Sequence, residues 1–293
     1  MKESAVRFGA WRSLVGVVRD PDEAGNPDAP AVLFLNAGLL HHVGPHRLHV
    51  KLARRLGAKG VRSLRFDLSG IGDSGPRQDR MGREESIVRE TQEAMDFMAA
   101  SYGTRRFVLF GICAGADQAV RTALTDDRVV GVSLVDAYAY PTKGHVLHYY
   151  AGRMLHGRSW WNVLSGQHPG YRRVASRLFG RHEHDDGPSR AAAPRPGVYL
   201  KPPRAEAEQR LGALVDRGCQ LCCIYTPSVN YSHAGQFAEM FPGLAGRSGI
   251  DVVFLEGSDH VFTLLASQAE LMDAVETWFE RAGGPTVAPT PSP

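Results

Sequence analysis

The sequence predicts an α/β fold, a mostly parallel and doubly wound sheet, on three observations. Apolar runs of strand length alternate with amphipathic segments of helix length through most of its 293 residues. Several runs are continuously apolar, as in strands buried on both faces of a parallel sheet. Glycine-containing turns follow the runs directly, at the strand ends where such sheets bind their ligands.

Taken in order, Leu14–Arg19 and the turn at 22–30 predict a hairpin leading into the first sheet strand, Ala31–Asn36. Residues 45–58 place Leu48, Leu52, Ala53 and Leu56 on one helical face, with Gly60 as a stop. Val61–Asp67 then reads as a strand, Glu84–Ser101 as a helix, Phe107–Ile112 as a strand, Ala114–Leu124 as a helix and Val129–Val135 as a strand. The rhythm breaks after Asp136 and resumes with a helix over 204–217 and strand Gln220–Thr226. A helix over 233–241, strand Ile250–Leu255 and helix Ala266–Arg281 complete it. The expected organisation is a core of residues 1–136 and 205–282, a helical lid insertion of residues 137–204 after the sixth strand, and a disordered tail over 283–293.

Composition excludes several function classes. Hydrophobic residues make up 43% and charged residues 22%, the mix of an ordinary globular protein with ample core. No apolar run approaches the ~20 residues that span a bilayer. The start, MKESAVRFGAWRS, lacks the apolar centre of a signal peptide, so a cytoplasmic protein is expected. A net charge of +3 is too small to imply nucleic acid. No dinucleotide fingerprint or P-loop is present, and no cofactor is expected. Cys219 and Cys222 have CxxC spacing without a second pair, so they and Cys223 read as buried strand thiols rather than metal ligands. His182 and His184 beside Asp185 and Asp186 read as a solvated loop, and no metal is expected.

The sharpest chemical signal is Phe110-Gly111-Ile112-Cys113-Ala114-Gly115, an apolar strand running into Gly-x-Cys-x-Gly with a helix directly after it. That is the context of a nucleophile elbow, with cysteine in place of the commoner serine. The turn is tight, so the residues two away must be small. It lifts the nucleophile clear of the sheet and aims the amide of Ala114 at a developing oxyanion. The helix start beneath Cys113 favours a thiolate.

Three further segments complete a pattern. Arg65-Phe66-Asp67-Leu68-Ser69-Gly70-Ile71-Gly72-Asp73-Ser74-Gly75 follows the second sheet strand, and Gly257-Ser258-Asp259-His260-Val261-Phe262 follows the last. Asn36-Ala37-Gly38-Leu39 ends the first. Together with the elbow, these resemble the α/β-hydrolase superfamily over nearly the whole chain. The resemblance implies a covalent acyl-enzyme, with Cys113 as nucleophile, His260 as general base, and an oxyanion hole from Ala114, Gly38 and Leu39. The acid of the family normally follows the strand Gln220–Thr226, yet the loop there, Pro227-Ser-Val-Asn-Tyr-Ser-His, holds no carboxylate. Asp136, at the end of the preceding strand, is the expected third member. Asp259 is its rival, and Asp67 and Asp73 are expected to brace their own turn.

A cysteine nucleophile with a relocated acid resembles thioester-processing Dieckmann cyclases, and the elbow and Asn36 resemble exosortase-associated hydrolases. The elbow is also similar to that of dienelactone hydrolase. The cyclase resemblance implies a substrate that is an acyl thioester, on an acyl carrier protein or coenzyme A. Eleven Lys or Arg and three acidic residues give segment 141–204 a charge of +8 within the net +3, which suits an anionic carrier. The aromatic residues of the 137–204 insertion, among them Tyr138, Tyr140, Tyr149, Tyr150, Trp160, Trp161 and Tyr171, suit a lid over an acyl channel or the lid's own core. Hydrolysis of an activated ester or lactone stays open. So does a non-catalytic binding protein, for which the carboxylate missing after Gln220–Thr226 is the best argument.

Overall fold

A computed structural model describes residues 2–23, 26, 28–142, 144, 201–228 and 230–281. The chain forms two compact units, Met1–Pro141 with Pro202–Pro293, and Thr142–Lys201. All elements described below belong to the first. The expected lid helices and disordered tail lie outside the described residues.

Eight strands form one sheet: β1 (Lys2–Phe8), β2 (Leu14–Asp20), β3 (Ala31–Phe34), β4 (Ser63–Phe66), β5 (Phe107–Ile112), β6 (Val129–Val135), β7 (Gln220–Tyr225) and β8 (Ile250–Phe254). Their order is β1-β2-β4-β3-β5-β6-β7-β8. The first two strands join antiparallel, and β4 through β8 run parallel. This is the α/β-hydrolase fold. The central strands β3, β4 and β5 are buried at every residue, and β3 and β5 accordingly read as unbroken apolar runs, whereas β4 buries Ser63 and Arg65 as well.

The helices divide between the two faces: α1 (Leu48–Ala58), α2 (Arg83–Tyr102), α3 (Ala114–Ala123), α4 (Arg204–Asp216), α5 (Gln236–Met240) and α6 (Leu265–Arg281). Side chains alternate across the sheet, so neighbours in one strand enter different cores. Leu33 and Leu109 pack with Met95, Val120 and Leu211 from α2, α3 and α4. Phe34 and Phe110 pack with Leu52, Leu56, Leu271 and Trp278 from α1 and α6. Among the described residues, no helix is long and apolar enough to cross a membrane.

Two expectations need correction at the amino-terminal edge. β1 is not among the expected strands, because Lys2, Glu3, Ser4 and Arg7 suit an exposed edge rather than a core strand. The hairpin expected between Leu14–Arg19 and Ala31–Asn36 does not form. β2 pairs with β1 and β4, and β4 lies between β2 and β3. The turn at 22–30 therefore crosses a strand instead of joining neighbours.

The strand order reverses between β3 and β5, since the chain moves from β3 out to β4 and returns to β5 on the other side. The carboxyl ends at such a switch point leave a crevice for ligands. The loop at Asn36 and the turn at Cys113 both open there.

Candidate active site

The turn after β5 explains both glycines of the elbow. Cys113 has φ 55° and ψ −115°, a left-handed backbone that a residue with a side chain adopts only under constraint. Its amide donates to the Val135 carbonyl at 2.9 Å, which ties the turn to the end of β6. A Cβ at Gly111 would lie 2.2 Å from the Gly115 carbonyl oxygen, and one at Gly115 would lie 2.8 Å from that of Asn36. The two glycines thus let strand, turn and the β3 loop pack backbone against backbone. Cys113 is left exposed at the top.

Asp136 lies one residue beyond β6. Its amide donates to the Ile224 carbonyl at 2.8 Å and extends the ladder toward β7. Its own φ of 53° turns the carboxylate off the strand line. Oδ1 accepts the Thr226 amide at 2.7 Å, while Oδ2 accepts the Thr226 hydroxyl and faces His260 Nδ1, each at 2.7 Å. The Asp136 side chain is 9% exposed and that of His260 46%, so the carboxylate is shielded and the imidazole reachable. The sequence reading missed Thr226. The signal was available, because this threonine ends the strand after which the acid usually sits and offers a hydroxyl beside its own amide.

His260 lies beside Cys113, and with Nδ1 engaged by Asp136 its Nε2 is the ring nitrogen left for the sulfur. The bond to Asp136 and then the neighbouring Cys113 raise the His260 pKa to about 10. The neighbouring His260 is the largest influence on Cys113 and holds its thiol below the ordinary value, assisted by the Ala114 amide and opposed by burial. Both directions favour imidazolium beside thiolate. The other three thiols are driven the opposite way by burial, Cys219 to about 11 and Cys223 to about 12, with Cys222 also well raised. They line strand β7 and its approach, and none is exposed.

Of the expected oxyanion groups, Ala114 directly follows Cys113 at the start of α3. Its amide helps to hold the Cys113 thiol low. Gly38 has φ 64° with open space around its Cα, and Leu39 is 76% exposed. Asn36, fully buried, sets the loop that carries them. Its Nδ2 donates to the Leu40 carbonyl and to Asp67 Oδ1, each at 2.9 Å, and its Oδ1 accepts the Leu68 amide. Asp67 also accepts the His42 amide and His42 Nδ1, each at 2.7 Å, and the Asp73 amide. Burial alone would raise the Asp67 pKa, but bonds from His42, Asn36 and the Asp73 amide outweigh it and hold it low.

Ligand atoms of His41, His42, Asp67 and Asp73 lie within 4.8 Å of one another, the one such metal-like group among the described residues. Each is already committed: His42 to Asp67 at 2.7 Å and His41 to Asp73 at 2.9 Å. The group is a hydrogen-bonded brace between the two loops. Asp259, the rival acid, bonds the Thr263 amide and hydroxyl at 2.8 Å and shapes its own turn.

Valine at position 226 keeps the shape and the amide donor while removing the hydroxyl from Asp136. The expected loss in kcat/KM for Thr226→Val is roughly tenfold, from ~1.5 kcal/mol for a hydrogen bond to a charged group. Steady-state kinetics checks this, and a loss under about twofold would mean that the amide alone holds Asp136.

No protein-family model matches the sequence, and no curated protein matches it. Solved structures do share the fold. A serine hydrolase from Xanthomonas campestris, described as having no lid, superposes with a TM-score of 0.58 at 14% identity, covering 99% of this chain and 98% of its own. The α/β hydrolase GrgF from a Penicillium species gives 0.55 at 14% identity, covering 96% and 99%. Proline iminopeptidase from Mycobacterium smegmatis gives 0.52 at 16% identity, covering 96% and 98%. At such identities the likeness is one of fold.

Proposed function

We propose that the chain is a cysteine-dependent acyl-processing enzyme that cleaves a thioester through an acyl-Cys113 intermediate. The observation that carries this reading is the 2.7 Å bond between Asp136 and the imidazole of His260, which lies beside the exposed Cys113 on its strained turn. The Cys113 thiolate attacks the substrate carbonyl carbon, and the oxyanion rests on the amides of Ala114 and the Gly38–Leu39 loop. The tetrahedral centre collapses by breaking the bond to the departing thiol, which takes the proton from His260 Nε2. His260, now neutral and held by Asp136, removes a proton from water or another acceptor as it attacks the acyl carbon. Collapse frees the Cys113 thiolate and returns the imidazolium.

A thioester suits this site better than an oxygen ester. Exchange between two thiolates is nearly balanced, whereas attack on an ester must expel a more basic oxygen. The +8 charge of segment 141–204 supports an anionic carrier, coenzyme A or an acidic carrier protein, as the group that brings the acyl chain. The sequence resemblances support a place in specialised-metabolite or polysaccharide biosynthesis. Plain ester or amide hydrolysis is the second reading, favoured by neighbours whose names describe hydrolases and an iminopeptidase.

Purified protein given matched acyl-pantetheine thioesters and p-nitrophenyl esters of the same chains separates the two. Thiol release that depends on Cys113 and exceeds turnover of the matched ester is the expected result. Ester turnover with inert thioesters would replace the first reading with the second. Product analysis then distinguishes hydrolysis from transfer to an added amine or from cyclisation.

A further inference from the structure

Beyond the three residues and Thr226, the acid loop has a second anchor on the helix that the nucleophile begins. Asp136 and Tyr138 both hold left-handed backbone, with φ 53° and 46°, although neither is glycine. Two such residues within three persist only where surrounding contacts over-determine them. The Tyr138 ring is 2% exposed, and its hydroxyl donates to Asp117 Oδ1 at 2.7 Å. Asp117 is itself 3% exposed and lies in the first turn of α3, four residues past Cys113. There the helix start stabilises its negative charge.

Charged partners for this carboxylate come from α3 itself and from α4. Arg121, one turn along α3, donates to Asp117 Oδ2 at 2.6 Å and also bonds Glu84 on α2. Arg210 from α4 stands 3.7 Å from Oδ1 and pairs with Glu206. The phenol therefore joins the loop bearing the acid to the helix bearing the nucleophile.

We propose that Tyr138 is a positioning residue: its bond to Asp117 locks the backbone that points the Asp136 carboxylate at His260. Losing the hydroxyl frees the loop to relax out of the left-handed region and lets the carboxylate drift from His260 Nδ1. The imidazole then stabilises the Cys113 thiolate less well. The inference rests on the reading of Cys113, His260 and Asp136 as one unit.

The test is the pH dependence of Cys113 alkylation by iodoacetamide, resolved by peptide mass. It compares wild type, Asp136→Asn, Tyr138→Phe, Asp117→Asn and the double variant Tyr138→Phe/Asp136→Asn. Well below a thiol's pKa, each unit of upward shift lowers the thiolate fraction about tenfold. Tyr138→Phe is expected to slow alkylation at pH 7 roughly threefold to tenfold and to move the profile upward. Asp117→Asn, which keeps an acceptor oxygen but loses the charge, is expected to fall between it and wild type. It carries the test if the phenylalanine variant does not fold. The double variant is expected to match Asp136→Asn alone.

A purely structural tyrosine would lower the melting temperature and leave the alkylation profile in place. Superimposable profiles for wild type, Tyr138→Phe and Asp117→Asn, or full additivity in the double variant, would overturn the proposal while leaving the triad reading intact. An Asp136→Asn profile that does not move would overturn the triad reading beneath it.

Discussion

Cys113→Ala is expected to remove thioester turnover almost completely, by on the order of 10⁴-fold or more, as when the nucleophile of a covalent mechanism is lost. The fold should survive, because Cys113 is exposed and its backbone is fixed by Gly111, Gly115 and the bond to Val135. Its left-handed conformation disfavours alanine as it does cysteine, so the melting temperature should change little. Serine at 113 is the sharper companion. Its hydroxyl matches the thiol in shape, but imidazole cannot hold it as an anion at neutral pH as it can a thiol. The Cys113→Ser variant is expected to lose the thiolate limb of the pH–rate profile. Steady-state thiol release across pH, beside a melting curve, checks both.

Asp136→Asn is expected to give the next largest loss, roughly 10²- to 10⁴-fold in kcat/KM, the range seen when a triad acid becomes an amide. The reason is geometric as well as electrostatic. Oδ2 accepts from both the Thr226 hydroxyl and His260 Nδ1, and an amide nitrogen there could accept from neither. The His260 pKa, now raised to about 10 chiefly by this aspartate, should fall. The Cys113 pKa, lowered chiefly by His260, should rise toward that of a free thiol. The sign is therefore fixed: at neutral pH the variant holds less thiolate, and its pH–rate profile shifts upward. An unshifted profile with a small loss would mean that Asp136 only caps its strand.

The parts of this structure legible in the sequence are those set by local pattern. Buried parallel strands announce themselves as apolar runs, and Leu48, Leu52, Ala53 and Leu56 form a buried helix face. Phe110 to Gly115 showed the elbow because backbone-to-backbone packing admits nothing larger than glycine at 111 and 115. The pairing of strands was less legible. Nothing local distinguishes a hairpin between β2 and β3 from a crossing over β4, since register there is set by distant partners.

Within the site, Asp136 could be singled out by elimination at the sheet edge, and its carboxylate is hydrogen-bonded to His260. Its supports could not. Thr226 and Tyr138 act through hydrogen bonds spanning 90 and 21 residues, and no motif spacing encodes those distances. Asn36 and Asp67 were noticed for their place at strand ends. That one amide holds Leu40, Asp67 and Leu68 together emerges only once β3 and β4 lie side by side.

The central claim is that Cys113 carries the acyl group, and the most direct measurement is intact mass after brief exposure to acyl-pantetheine thioesters, followed by peptide mapping. The expected result is an added acyl mass on Cys113, absent in Cys113→Ala and formed far more slowly in His260→Gln. Cys219, Cys222 and Cys223 should stay unmodified, since all three are buried with raised pKa values. Thioester turnover with the acyl mass on another residue, or turnover that persists undiminished in Cys113→Ala, would contradict the account.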